Sequence, residues 1–193
     1  MLRFTIAAGD ALLLVDVQND FLPGGALAVA GGDEIIPVLN QYIRRFTEKG
    51  RPVIASADWH PPDHCSFVAQ GGPWPPHCIA GSAGAGFAAG LALPPTALVE
   101  HKAAQSGLDA YSAFAGTGLG PKLQAEGISR VFVGGLATDY CVLNTVRDAL
   151  SHGFATVLLV DAVRAVDPSV QGPAAIREMT GLGALSATLA EVD

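Results

Sequence analysis

At 193 residues the chain is long enough to bury one substantial core and too short to divide comfortably into two catalytic units, so a single domain over residues 1–193 is expected. Half of the residues are hydrophobic and only 15% are charged, the opposite of a disordered composition. A net charge of -7, with eleven scattered Lys and Arg, argues against nucleic acid as a partner and leaves a small molecule as the expected ligand.

Read from the N-terminus, Asp10 and Asp16 bracket an apolar run too short for a signal-peptide core or a membrane span. That run, Ala11 to Val15, has strand length. Asp33 to Lys49 then carries Ile35, Ile36, Leu39, Tyr42, Ile43 and Phe46 at helical spacing, and Gly50 stops it. Further strands are expected at Val53 to Ala57, Ala97 to His101, Arg130 to Gly134 and Ala155 to Val160, with a weaker one at Ala184 to Ala187. Strands alternating with helices predict an α/β fold with a mostly parallel sheet of about six strands. The Gly- and Pro-rich stretch from Asp58 to Thr96 shows no period; loops of that length are usually functional, and a short helix is expected within it.

In open parallel sheets ligands bind outside the carboxyl ends of the strands. Asp16 follows the first strand, Asp58 the second, Lys102 the third, and Cys141 comes shortly after the fourth, near the start of a helix. Each alone has an ordinary reading: a turn residue, a solvated charge, a small buried hydrophobe. Together they open onto one crevice. A helix terminus and a nearby ammonium would both lower the pKa of the Cys141 thiol, Asp16 would exchange its proton, and the turn from Gly134 to Cys141 would present backbone N–H groups to an oxyanion.

The chain has three cysteines, Cys65, Cys78 and Cys141, and no C-x-x-C pair, which fits neither a disulfide framework nor a structural zinc site; a reducing, cytoplasmic setting is expected. Cys65 and Cys78 read as packing residues and Asp63 as facing solvent. Asp58, His60 and His77 offer three N/O ligands and leave positions open, the pattern of a working divalent ion such as Zn, Mn or Fe. His64 reads as a residue behind the metal or on a bound water.

The blocks Val15 to Gly25, Asp58-Trp59-His60-Pro61, Trp74 to Cys78, Lys102 with Asp109 to Phe114, and Gly135 to Val142 resemble the nicotinamidases within the isochorismatase-like cysteine hydrolases, over about Leu12 to Ala184. The resemblance implies a three-layer sandwich and Asp16, Lys102 and Cys141 as the catalytic triad. It further implies a cis peptide between Leu136 and Ala137, oxyanion donation from the N–H groups of Ala137 and Cys141, and metal binding by Asp58, His60 and His77. Phe21, Trp74 and Tyr111 would enclose an aromatic ring, with Gln18 at the edge of the pocket. The implied reaction converts nicotinamide to nicotinic acid and ammonia through a thioester, as in NAD salvage, with the metal holding the pyridine nitrogen and pyrazinamide also accepted. No membrane partner is expected, and a homo-oligomer is compatible with the sequence.

The chain departs from the family pattern at Ala103, where Gly is usual after the lysine, and at Phe87-Ala88-Ala89, which lacks a common His-Pro. Loop geometry, and with it the size of the substrate pocket, turns on these positions. Alternative readings are a related amidohydrolase acting on N-carbamoyl or ureido substrates, or a non-catalytic module that binds metal or ligand.

Overall fold

The computed structural model describes residues 3–193. Six strands form one sheet, all neighbours parallel, in the order β3-β2-β1-β4-β5-β6. They are β1 (Asp10–Val15), β2 (Val53–Asp58), β3 (Leu98–Lys102), β4 (Arg130–Leu136), β5 (Ala155–Arg164) and β6 (Leu185–Ala187). The helices are α1 (Ile36–Glu48), α2 (Leu119–Ala125), α3 (Leu143–Ser151) and α4 (Gln171–Gly181). No helix among the described residues is long and apolar enough to cross a membrane.

Burial on both faces explains why β1 is apolar from Ala11 to Val15. Its side chains alternate: Leu12 and Leu14 enter a core with Leu39, Tyr42, Ile43 and Phe46 of α1, while Ala11, Leu13 and Val15 enter a second core with Leu119, Leu123, Val146 and Met179 from α2, α3 and α4. The buried positions of α1 recur at the spacing of one helical face. A single-turn 3-10 segment, Gly32–Ile35, precedes α1, so the α-helix proper starts three residues after the expected Asp33.

The sequence pattern missed α2 and α4. Gly120 and Pro121 interrupt α2, Gly172 and Pro173 occupy the first turn of α4, and the buried side chains of α4 are few. The periodic signal is therefore weak, and packing against the sheet holds both helices. The helix expected between Asp58 and Thr96 reduces to a 3-10 turn at Val68–Gln70. The rest of that stretch is irregular backbone tied down by hydrogen bonds such as Trp74 N–H to Ser66 O and Ala80 N–H to His60 O.

Strand order reverses between β1 and β4. The chain winds one way through β2 and β3, then returns to the other side of β1, so loops after these strands diverge and leave a crevice above the β1–β4 pair. Gly135 keeps the two strands in contact there. It has φ 124, and a Cβ at this position would sit 2.1 Å from the carbonyl oxygen of Val15. Gly135→Ala is expected to cost at least about 2 kcal/mol, seen as a lower denaturant midpoint with an unchanged m-value.

Candidate active site

Four buried side chains meet at the crevice. Asp16 leaves β1 with φ 50, a left-handed conformation that turns the chain out of the sheet. Asp58 and Lys102 are the last residues of β2 and β3 and are direct ladder neighbours. Lys102 Nζ lies 2.9 Å from Asp16 Oδ2, 2.5 Å from Asp58 Oδ1, 3.1 Å from the Ala110 carbonyl oxygen and 3.5 Å from Cys141 Sγ. Burial alone would strip the proton from this lysine, but Asp16 and Asp58 outweigh it and hold the pKa well above its ordinary value. Lys102 is therefore an ammonium shared by two carboxylates.

Ser56 Oγ donates to Asp16 Oδ1 at 2.6 Å. Asp16 Oδ2, although close to Lys102, lies off the axis of a hydrogen bond and has no hydrogen-bond partner. Burial raises the pKa of Asp16 against the opposing pull of Lys102, which makes the carboxylate a stronger proton acceptor. Burial also pushes the Cys141 thiol well above its ordinary range; Lys102 opposes, and Asp16 and Asp58 reinforce the rise. The expected lowering of the thiol pKa is thus corrected. Two carboxylates already neutralise the ammonium, and Cys141 sits in a π-helical turn, Thr138–Val142, ahead of α3 rather than on its first turn.

The metal candidates converge as well. Asp58 Oδ2 lies 3.5 Å from His60 Nε2 and 4.0 Å from His77 Nε2. His60 Nδ1 donates to the Ala103 carbonyl at 3.2 Å and His77 Nδ1 to the Pro75 carbonyl at 2.8 Å, which leaves both Nε2 lone pairs facing the carboxylate. His60 Nε2 is buried and unpartnered. Asp58 Oδ2 and the two Nε2 atoms face one another, and the 3.5 and 4.0 Å separations are within the reach of two metal bonds of about 2.0–2.2 Å, so the set fits a divalent ion. Burial raises the pKa of Asp58, yet Lys102 and His60 bring it below the usual carboxylate range and keep it ionised. His64 stands behind this set: its ring is 4.2 Å from that of His60, and its nitrogens face Ser66 Oγ at 2.7 Å and the Leu108 carbonyl at 3.1 Å.

Above the thiol and the histidines is a concave pocket that opens to solvent. Phe21, Trp74, Tyr111, Ala137 and Cys141 line it, together with Asp58, His60 and His77. Trp74 Nε1 donates to the Tyr111 hydroxyl at 2.9 Å, and Tyr140 packs edge-on against Trp74 at 5.2 Å. The Leu136–Ala137 peptide is cis. Gln18 is the exception among the expected wall residues. It is fully buried, does not line the pocket, and its side chain bonds backbone instead.

Three contributors escaped the sequence reading. Ser56 is a polar residue inside an apolar strand, which was a usable signal. Tyr140 adjoins the cysteine, and nothing in its local sequence says that it faces the pocket. Asp20 reaches across the fold to accept hydrogen bonds from Cys78 N–H at 2.7 Å and Ala26 N–H at 3.2 Å. Cys78 is buried and Cys65 partly so, and Asp63 is exposed and bonded to Ser106.

An all-parallel sheet that buries an aspartate, a lysine and a cysteine at its switch point defines an isochorismatase-like α/β protein. The chain belongs to the Isochorismatase domain family, whose model matches residues 10–191. It is 41% identical over 203 residues to the nicotinamidase of Escherichia coli (strain K12), covering 94% of this chain and 95% of that one. The pyrazinamidase of Pyrococcus horikoshii in complex with zinc matches with a TM-score of 0.91 at 46% identity, over 94% of this chain and 99% of that chain. PnC1 from L. infantum in complex with nicotinate matches with a TM-score of 0.92 at 38% identity, over 100% and 99%.

Ala103 adopts φ 50 and supplies the carbonyl that holds His60. A left-handed Ala is strained by roughly 1 kcal/mol or more relative to Gly, partly offset by the greater unfolded-state freedom of Gly. Ala103→Gly is expected to stabilise the chain by about 0.5–1 kcal/mol, read as a rise in Tm.

Proposed function

We propose that this chain is a nicotinamidase that hydrolyses nicotinamide to nicotinate and ammonia, with the whole chain acting as one domain. The observation that carries the reading is the Cys141 thiol at the floor of an aromatic-walled pocket. It stands beside the Asp16 carboxylate, which is ion-paired with Lys102, and next to the Asp58, His60 and His77 donor set. The names of the relatives support it.

In this mechanism Asp16 Oδ2 takes the thiol proton as Cys141 Sγ attacks the carboxamide carbon. Concerted transfer suits a thiol whose resting pKa is high, because no free thiolate has to accumulate. The N–H groups of Ala137 and Cys141 bind the developing oxyanion. Asp16 then returns the proton to the departing nitrogen, ammonia leaves, and a thioester remains on Cys141. Asp16 next deprotonates a water that attacks the thioester, and the proton passes back to sulfur as nicotinate is released. Lys102 stays charged throughout and keeps Asp16 oriented.

Phe21, Trp74 and Tyr111 hold the pyridine ring, and Phe21 packs 5.6 Å from the His77 ring. A divalent ion held by Asp58, His60 and His77, Zn, Mn or Fe by ligand type, would supply Lewis-acid anchorage for the ring nitrogen. Pyrazinamide, also a six-membered ring with a nitrogen in that position, is a second expected substrate. The donor set favours this reading over an N-carbamoyl or ureido amidohydrolase, whose substrates have no ring nitrogen to anchor. The reaction would serve NAD salvage in the cytoplasm.

Ammonia release from nicotinamide, pyrazinamide and an N-carbamoyl amine tests the reading directly: the first two are expected to turn over and the third not. Cys141→Ala is expected to lower kcat by at least about three orders of magnitude while bound metal is unchanged. Turnover near wild type would refute the thioester. His60→Ala is expected to lose bound metal, measured by elemental analysis after dialysis, and to raise KM for nicotinamide.

A further inference from the structure

Gln18 is fully buried, yet its side chain touches neither the pocket nor another polar side chain. Its Nε2 donates to the Asp58 carbonyl at 2.8 Å and to the Ala85 carbonyl at 2.9 Å, and its Oε1 accepts from Asp58 N–H at 2.8 Å. The geometry has a cause in the strand ladder. Asp16 N–H still bonds Ser56 O at 3.2 Å, but the left-handed Asp16 then swings β1 out of the sheet, and Gln18 N–H turns back to Asp16 O at 2.8 Å. The main chain that would have paired with Asp58 is gone. The Gln18 amide supplies that donor and that acceptor from a side chain, and its second hydrogen ties in the loop at Ala85.

We propose that Gln18 is a positioning residue that fixes the main chain of Asp58 and so sets how its carboxylate is divided, one oxygen to Lys102 and the other to the metal donors. The proposal rests on the reading of Asp58, His60 and His77 as a metal site. Asp58 Oδ1 lies 2.5 Å from Lys102 Nζ, and Oδ2 lies 3.5 Å from His60 Nε2. A shift of the Asp58 backbone therefore disturbs the metal donors and the Lys102–Cys141 contact together. Only an amide of this length meets the demand. Leu loses all three bonds, and an ionised Glu faces two buried carbonyls with no proton to give. Asn is one methylene short.

The test titrates zinc ions into chelator-treated protein and reads affinity by competition, alongside thermal unfolding of the metal-free form. Gln18→Leu and Gln18→Glu are expected to weaken zinc binding about 10–100-fold in folded protein, the range for partners that orient a ligand from behind. Added to Asp58→Asn, Gln18→Leu is expected to have little further effect on zinc affinity, because the two act through one group. Zinc affinity within twofold of wild type, or full additivity with Asp58→Asn, would overturn the proposal. Should neither Gln18 variant fold, NMR of the wild-type chain decides: zinc is expected to shift the Gln18 side-chain amide resonances, and an unresponsive amide overturns the idea. His60→Ala runs in parallel. If it leaves zinc binding intact, the metal-site reading fails; if it abolishes binding while Gln18→Leu does not, only the Gln18 proposal fails.

Discussion

The Lys102 ammonium is the constraint on which the rest of the site depends. It is buried, and it touches both carboxylates and the sulfur. An unpaired ammonium in such a place would cost several kcal/mol, and removing either carboxylate would expose part of that cost. Paired twice, it stays charged, keeps Asp58 ionised for its histidine neighbours, and holds the Asp16 carboxylate near the thiol. The nucleophile and the donor set are in this way two ends of one charge network, with Asp58 as the shared member.

Topology brings the members of that network together. Asp58 and Lys102 lie side by side because β2 and β3 are paired in register, and Cys141 approaches Asp16 because β4 returns to the opposite flank of β1. Backbone conformations at the strand ends complete the approach. Asp16, Cys78 and Ala103 all have positive φ although none is glycine. Each stands at a point where the chain turns sharply next to a site residue, the usual location for such conformations. Once β1 is turned away at Asp16, the ladder needs a substitute partner, and Gln18 provides one.

Much of this was legible in the residues. Short, largely apolar runs mark β1, β2, β4 and β5, because a parallel strand buried on both faces cannot carry the alternation of a half-exposed one. The face of α1 was equally clear. Weakly apolar α2 and α4 were not, since glycine and proline in their first turns hide helices that exist mainly because a sheet face must be covered. The donor set could be read from residue type and clustering, and the aromatic wall from its motif blocks.

By itself, the sequence determined the kinds of chemistry available: a cysteine, a lysine, carboxylates and histidines, with Asp16, Asp58 and Lys102 placed at strand ends by the hydrophobic pattern before each. Only the tertiary structure decided how they act on one another. Whether a buried thiol rises or falls in pKa depends on the balance of desolvation against charges brought from the ends of three other strands, and no local pattern contains that sum. The same holds for Gln18, whose place in the motif suggested the pocket. Its partners lie 40 and 67 positions away along the chain, and only the folded sheet shows that its amide serves the backbone.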